Sequence, residues 1–139
     1  MSARKPARVI LDSSFLFTPA QFHIDIFEEL AKLLNRRFDP IILSPTCDEL
    51  QDIAERGSIK LRRQAALALE LANECRMVEV AKDVGELHDD LVVRVAVETA
   101  SYVATNDRAL RKRLRSVNVP VIYLRQKSRL ALDGAPQGA

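Results

Sequence analysis

A chain of 139 residues, 47% of them hydrophobic, is the size of one domain with a proper core. No apolar run approaches the length that spans a bilayer, and the basic start Met-Ser-Ala-Arg-Lys-Pro-Ala-Arg leads straight into a short strand. That excludes a membrane span and a signal peptide, so a cytoplasmic protein is expected. The net charge is only +2, yet residues 108–129 carry eight Lys or Arg and no acid, a directed field that suits a polyanionic partner.

In chain order, Arg8-Val-Ile-Leu-Asp12 reads as a buried strand ending on an acid. Ser13 and Ser14 offer an N-cap, and Phe15 to Pro19 a turn. Ile26, Phe27, Leu30, Ala31, Leu33 and Leu34 make a helical stripe within residues 22–37. Asp39-Pro40 breaks the chain before a second strand, Ile41 to Leu43. Ser44-Pro45 predicts a helix start, and Gly57 ends that helix. A third helix spans Ile59 to Asn73, and Met77 to Val80 is a third strand. Leu87 to Glu98 holds four valines, but its length and flanking charges favour a buried helix. Tyr102 to Thr105 is a fourth strand, Asp107 to Arg115 a basic helix, and Val119 to Leu124 a fifth strand. One domain over residues 1–132 with a frayed tail at 133–139 follows.

Strands alternating with helices imply an α/β fold, a parallel sheet covered on both faces, with ligands bound beyond the carboxyl ends of the strands. Asp12 and Asp107 follow strands one and four, so topology alone brings them to one edge. Glu49, Asp90 and Asp89 complete a set of acids able to hold Mg2+, which takes oxygen ligands. Each has a plainer reading. Asp12 and Asp107 could cap helices, Glu49 could box with Thr46, and Asp89-Asp90 could decorate a helix start. The basic run could be a solvated face. Cys47, Cys75, His23 and His88 do not make a zinc spacing, and the cysteines read as small buried hydrophobes.

The motifs Val-Ile-Leu-Asp12, Ser-Pro-Thr-Cys-Asp-Glu49-Leu, Asp89-Asp90-Leu-Val-Val-Arg-Val-Ala and Val-Ala-Thr105-Asn-Asp107-Arg, in this order, resemble the PIN-domain nucleases. The run from Val103 to Arg115, with Val-Pro-Val-Ile-Tyr-Leu after it, is similar to one subgroup. These are archaeal stand-alone proteins akin to the eukaryotic nuclease that processes small-subunit rRNA. The resemblance implies a three-layer sandwich around a five-stranded parallel sheet. It implies Mg2+ or Mn2+ and cleavage of single-stranded RNA by metal-activated water, leaving a 5′-phosphate and a 3′-hydroxyl. Family roles fall on Asp12, Glu49, Asp90 and Asp107 as metal-binding, catalytic acids. Asp90 is preferred to Asp89 because the following Leu-Val-Val matches the family's spacing. Thr105 is a nearby hydroxyl, and Ser13-Ser14 stand where the family commonly has Thr-Asn. Arg108, Arg111, Lys112, Arg115, Arg125 and Lys127 are the expected RNA contacts, and a homodimer is implied.

Two versions of the activity share these acids: an rRNA-processing enzyme with ribosome-assembly partners, and the toxin of a toxin–antitoxin pair. A non-catalytic RNA-binding module is the rival from another class. Phosphotransfer receivers and haloacid-dehalogenase-type phosphatases are disfavoured, because the serines after Asp12 stand where those families need a further acid.

Overall fold

Short apolar strands separated by amphipathic helices leave the chain one economical solution, a sheet buried on both faces. The computed structural model describes residues 5–135. Its elements are β1 (Ala7–Leu11), α1 (Ser13–Leu16), α2 (Thr18–Phe22), α3 (Ile26–Leu34), β2 (Phe38–Leu43), α4 (Ser44–Arg56) and α5 (Ile59–Ala72). There follow β3 (Arg76–Val78), α6 (His88–Thr99), β4 (Tyr102–Ala104), α7 (Arg108–Ser116), β5 (Val121–Arg125) and β6 (Arg129–Asp133). The sheet order is β3-β2-β1-β4-β5-β6, with every neighbouring pair parallel except β5 and β6.

The strand period of two separates the core into two layers. Val9 and Leu11 of β1 join Ile26, Leu30, Leu50 and Ala68 on one face. Ile10 joins Leu91, Val92, Val95, Leu110 and Leu114 on the other. Each fully buried leucine among these contributes about 1.5–3 kcal/mol relative to an exposed one. The four-valine segment is a helix because Leu91, Val92, Val95 and Ala96 are buried along one side of it, and burial outweighs β-propensity. Among the described residues no helix is long and apolar enough to cross a membrane.

Several expected boundaries move, each for a local reason. Phe15 to Pro19 is not a simple turn but parts of α1 and α2, with Pro19 in the first turn of α2. The stripe expected from Phe22 is helical only from Ile26, where Asp25 caps α3 by accepting from the Glu28 amide at 3.1 Å. Ser44 does not cap α4. Leu43 holds the cap position, and Ser44 Oγ instead accepts from the Val80 amide at 3.0 Å. Asp39-Pro40 lies inside β2. Because β3 pairs with β2 only from Ile41 onward, Pro40 stands where one side of the strand is an edge, the place a sheet tolerates proline.

The five-stranded expectation gains a sixth strand. β6 pairs antiparallel from Arg129 against Arg125 to Asp133 against Val121, so the tail expected from residue 133 begins inside a strand. Residues 136–139 of that tail lie outside the described residues, as do residues 1–4.

The chain places β2 and β3 on one side of β1 and then crosses to place β4 on the other. The crevice beyond the carboxyl ends of β1 and β4 is therefore the reversal point where such sheets bind ligands.

Candidate functional site

Leu11 pairs with Ala104 in the β1–β4 ladder, so Asp12 and Thr105 leave the sheet side by side. The Asp12 amide still donates to the Ala104 carbonyl at 2.9 Å, and the Thr105 amide to Ile122 at 2.9 Å. Asp12 is only 6% exposed. Its Oδ2 accepts from Thr105 Oγ1 at 2.8 Å and from Ser14 Oγ at 3.0 Å, while Oδ1 lies 3.8 Å from His88 Nε2. Burial alone pushes the Asp12 carboxyl up. The His88 imidazole 3.8 Å away, with hydrogen bonds from Thr105 and Ser14, outweighs it and holds the group below its ordinary value. Asp12 occupies the N-cap position of α1 yet makes no cap bond, so capping does not explain this buried charge.

Ser14 carries the polar network at the position where the sequence departs from the family pattern. Its Oγ also lies 3.1 Å from Thr105 Oγ1 and accepts from the Asn106 amide at 3.0 Å. Asn106 extends the network, donating from Nδ2 to Thr18 Oγ1 at 2.9 Å and accepting from the Leu124 amide at 2.9 Å. Sequence reasoning passed over Asn106, although it sits between Thr105 and Asp107.

Asp107 does cap a helix. Its Oδ1 accepts from the Leu110 amide at 3.0 Å, and its own amide donates to Thr105 Oγ1 at 3.1 Å. The capping role and a place beside Asp12 coexist, since Thr105 bonds to both residues.

The two acids of the Asp89-Asp90 pair stand in different surroundings. Asp90 is the third residue of α6 and folds back to accept from the Leu87 amide at 2.9 Å, and also from Arg113 Nη1 at 2.8 Å. Those two bonds hold its carboxyl below the ordinary range. Asp89, about 100° earlier around the helix, has its carboxyl pushed up, by burial first and then by the charges of Asp107 and Asp12. Asp90 is thus engaged by Leu87 and Arg113, while Asp89 feels the negative charges of Asp107 and Asp12.

Glu49 is exposed on α4, and its Oε1 accepts from Ser13 Oγ at 2.7 Å. The capping box with Thr46 does not form. Thr46 is buried and meets His88 Nε2 at 3.3 Å. His88 was missed as a site residue. Its pKa is raised by the Asp12 carboxylate beside it against the opposing effect of burial, with the charge of Glu49 adding. The one available signal was its position immediately before the Asp89-Asp90 pair. Arg94 secures the loop that delivers these residues, gripping Glu86 at 2.9 and 3.0 Å and the Ala81 carbonyl at 2.9 Å. The Arg94 guanidinium and the Asp83 amide hold the Glu86 carboxyl at about 2.

Among the described residues no three His, Cys, Asp or Glu side chains converge, as they stand, into a group that could hold a metal ion. Ser13 engages Glu49, and the Leu110 amide engages Asp107. The donors at this edge are nonetheless carboxylate oxygens, and the push on Asp89 from Asp107 and Asp12 marks an excess of negative potential. That chemistry fits a hard divalent cation. Both cysteines are free and half-buried, and burial, then Glu74, pushes the Cys75 thiol up to about 12.

The expected RNA contacts divide. Arg115 is committed internally, with Nε 3.2 Å from Asp133 Oδ1 and Nη1 donating to the Val119 carbonyl at 3.3 Å. Arg111 Nε lies 3.7 Å from Asp133 Oδ2, and its guanidinium stacks 4.0 Å from the centre of the Tyr123 ring. Arg108, Arg111 and Arg125 line a cleft of about 300 Å³ with Asn106, Asp107, Tyr123 and Gln126. Lys127 borders a neighbouring groove with Ser13 and Ser14, and Lys112 is exposed on α7.

A family profile described as "PIN like domain" matches residues 9–127. Ribonuclease VapC4 of Methanocaldococcus jannaschii is 28% identical over 128 residues, covering 91% of this chain and 97% of that protein. The rRNA-processing protein fcf1 of Schizosaccharomyces pombe is 30% identical over 120 residues. That match covers 84% of this chain but 58% of the yeast protein, so the chain spans little more than half of that relative. Among solved structures, the PIN domain endonuclease Utp24 superposes with a TM-score of 0.75 at 26% identity, covering 94% of this chain and 93% of that one.

Proposed function

The chain belongs to the PIN-like domain family, and on that premise we propose that it is an endoribonuclease cutting single-stranded RNA with Mg2+ or Mn2+. The acids that would hold the ion are Asp12, Asp89, Asp107 and Glu49, with Asp89 taking the place first given to Asp90. The observation that carries the reading is Asp12, a buried carboxylate held ionised by Thr105, Ser14 and His88 where capping gives it no role. A buried charge is costly unless it is paired and hydrogen-bonded, and here the partners keep it in place at the sheet edge where ligands bind.

Each residue then has a task. Thr105 and Ser14 fix the Asp12 carboxylate in one orientation. Asp107 is placed by its backbone bond to Thr105, and Glu49 by Ser13. A bound divalent ion would supply a water acidified toward neutral pH and positive charge opposite the leaving oxygen. Arg108 and Arg111 of α7 and Arg125 of β5 receive the phosphates that flank the cut.

The test is an assay on end-labelled, unstructured RNA with Mg2+, with Mn2+ and with chelator. Internal cuts leaving a 5′-phosphate and a 3′-hydroxyl, lost on chelation and in Asp12→Asn, are expected. RNA affinity with no cleavage under any metal would make the chain a binding module instead.

Between the two biological roles, we favour processing of RNA, including rRNA, on the likeness to fcf1 and Utp24. The toxin reading is supported by the nearly full-length match to Ribonuclease VapC4. It expects growth arrest on expression, relieved by a small antitoxin protein. A cytoplasmic location and a homodimer belong to the same proposal, the latter tested by sedimentation.

A further inference from the structure

We infer that the cleft between the start of α7 and the end of β5 is a subsite for one nucleotide of the RNA strand, next to the bond that is cut. The inference rests on the nuclease reading and adds to it a place, a size and a chemistry.

The cleft opens beside Asp107, whose backbone is tied to Thr105 and through it to Asp12. A nucleotide lying there is therefore a neighbour of the acid cluster along the strand. Its volume of about 300 Å³ is at the small end of ligand pockets, the scale of one nucleotide rather than a duplex. Arg108, Arg111 and Arg125 line a space whose one lining carboxylate is Asp107. Arginine forks match phosphate oxygens in pairs.

The second half of the site is flat. Tyr123 and Arg111 stack at 4.0 Å, and both an aromatic ring and a guanidinium plane are surfaces on which unpaired bases stack. Asn106 and Gln126 add amides at the rim. The Asn106 carbonyl is engaged by the Leu124 amide and its Nδ2 by Thr18, so Asn106 shapes the cleft rather than reading a base. The site thus recognises a phosphate and an unpaired base together, with little selection among the four bases.

The experiment uses the Asp12→Asn protein, which separates binding from cutting. Its affinity for a fluorescein-labelled five-nucleotide unstructured RNA is measured by anisotropy with chelator present. Arg125→Ala and Tyr123→Leu each weaken binding, by about tenfold for the lost stacking contact, and Tyr123→Phe restores most of that loss. Lys60→Ala, on α5 and outside the cleft, binds as the parent does. Because Arg125 is exposed, its variant reports even where a Tyr123 substitution disturbs folding. Unchanged affinity in the folded Arg125→Ala protein overturns the subsite, whatever the wild type cleaves. If those losses appear while the wild type cuts no RNA, the subsite stands and the nuclease reading fails. Competition identifies the ligand: a nucleoside monophosphate displaces the RNA at concentrations where inorganic phosphate does not. Equal displacement by inorganic phosphate reduces the cleft to an anion site and overturns the stacking half.

Discussion

Asp12 and His88 tie the stability of the metal-free protein to pH from both ends. The His88 pKa is raised above its ordinary 6.5, so its stabilising effect is complete below 6.5 and is lost as pH rises through the raised value. The Asp12 pKa is lowered from 3.8, so its effect is present above 3.8 and is lost as pH falls through the depressed value. His88→Gln should therefore flatten the decline of Tm with pH above 6.5 and leave the acid limb in place, as thermal melts in chelator across pH 3–9 will show. The acid pair makes a second prediction. Asp89→Asn lowers cleavage sharply with little change in Tm, whereas Asp90→Ala lowers Tm by removing the bonds to Leu87 and Arg113 and spares more of the activity. The reverse result would restore Asp90 to the metal site. Asp12 was legible in the sequence because an acid directly after a buried strand is an unusual arrangement. The engagement of Asp90 by Leu87 and Arg113 was not, because it depends on where α6 begins, and Leu87 at the cap carries no polar signal. His88 was hidden because its partners, Thr46 and Asp12, are distant along the chain.

At the scale of elements, β6 turns a basic helix into a partly neutralised one. Asp133 lies within reach of both Arg111 and Arg115, so it competes with phosphate for the same guanidinium groups. Asp133→Ala should lower Tm slightly while tightening RNA binding, with a steeper salt dependence by about 0.7 unit of log–log slope for each arginine released. A slope that does not change would show that the freed arginines never meet RNA. The residue after β6 is Gly134, at φ +112°, where a Cβ would fall 2.6 Å from Arg115 Nη1. Gly134→Ala combines a strained backbone with that collision and should cost about 1–3 kcal/mol in a denaturant melt. The sequence did not reveal β6 because Arg129-Leu-Ala-Leu-Asp133 holds no β-branched or aromatic residue. The loop before it reaches positive φ at Gln126 and Lys127, where Asn and Gly are the usual markers of a hairpin. Strands β1, β2, β4 and β5 and helices α3 to α7 were readable because their apolar pattern matched their eventual burial, whereas the short α1 and α2 were read as a turn.

For the whole molecule, strand order matters more than any single contact. The alternation of helices and strands was enough to expect a parallel sheet and to place Asp12 and Asp107 at one edge. It could not say that β1 and β4 are the central pair, with two further strands on each side. This arrangement separates the site from the parts of the sheet that open first. Fluctuations that release β3 or β6 leave the β1–β4 ladder closed, so the amides of Asp12 and Thr105, bonded across it and to β5, should take up deuterium only when the entire domain unfolds. The edge strands should exchange far sooner. On heating, cleavage should accordingly persist up to the cooperative melt and then vanish with it, showing no earlier, gradual inactivation.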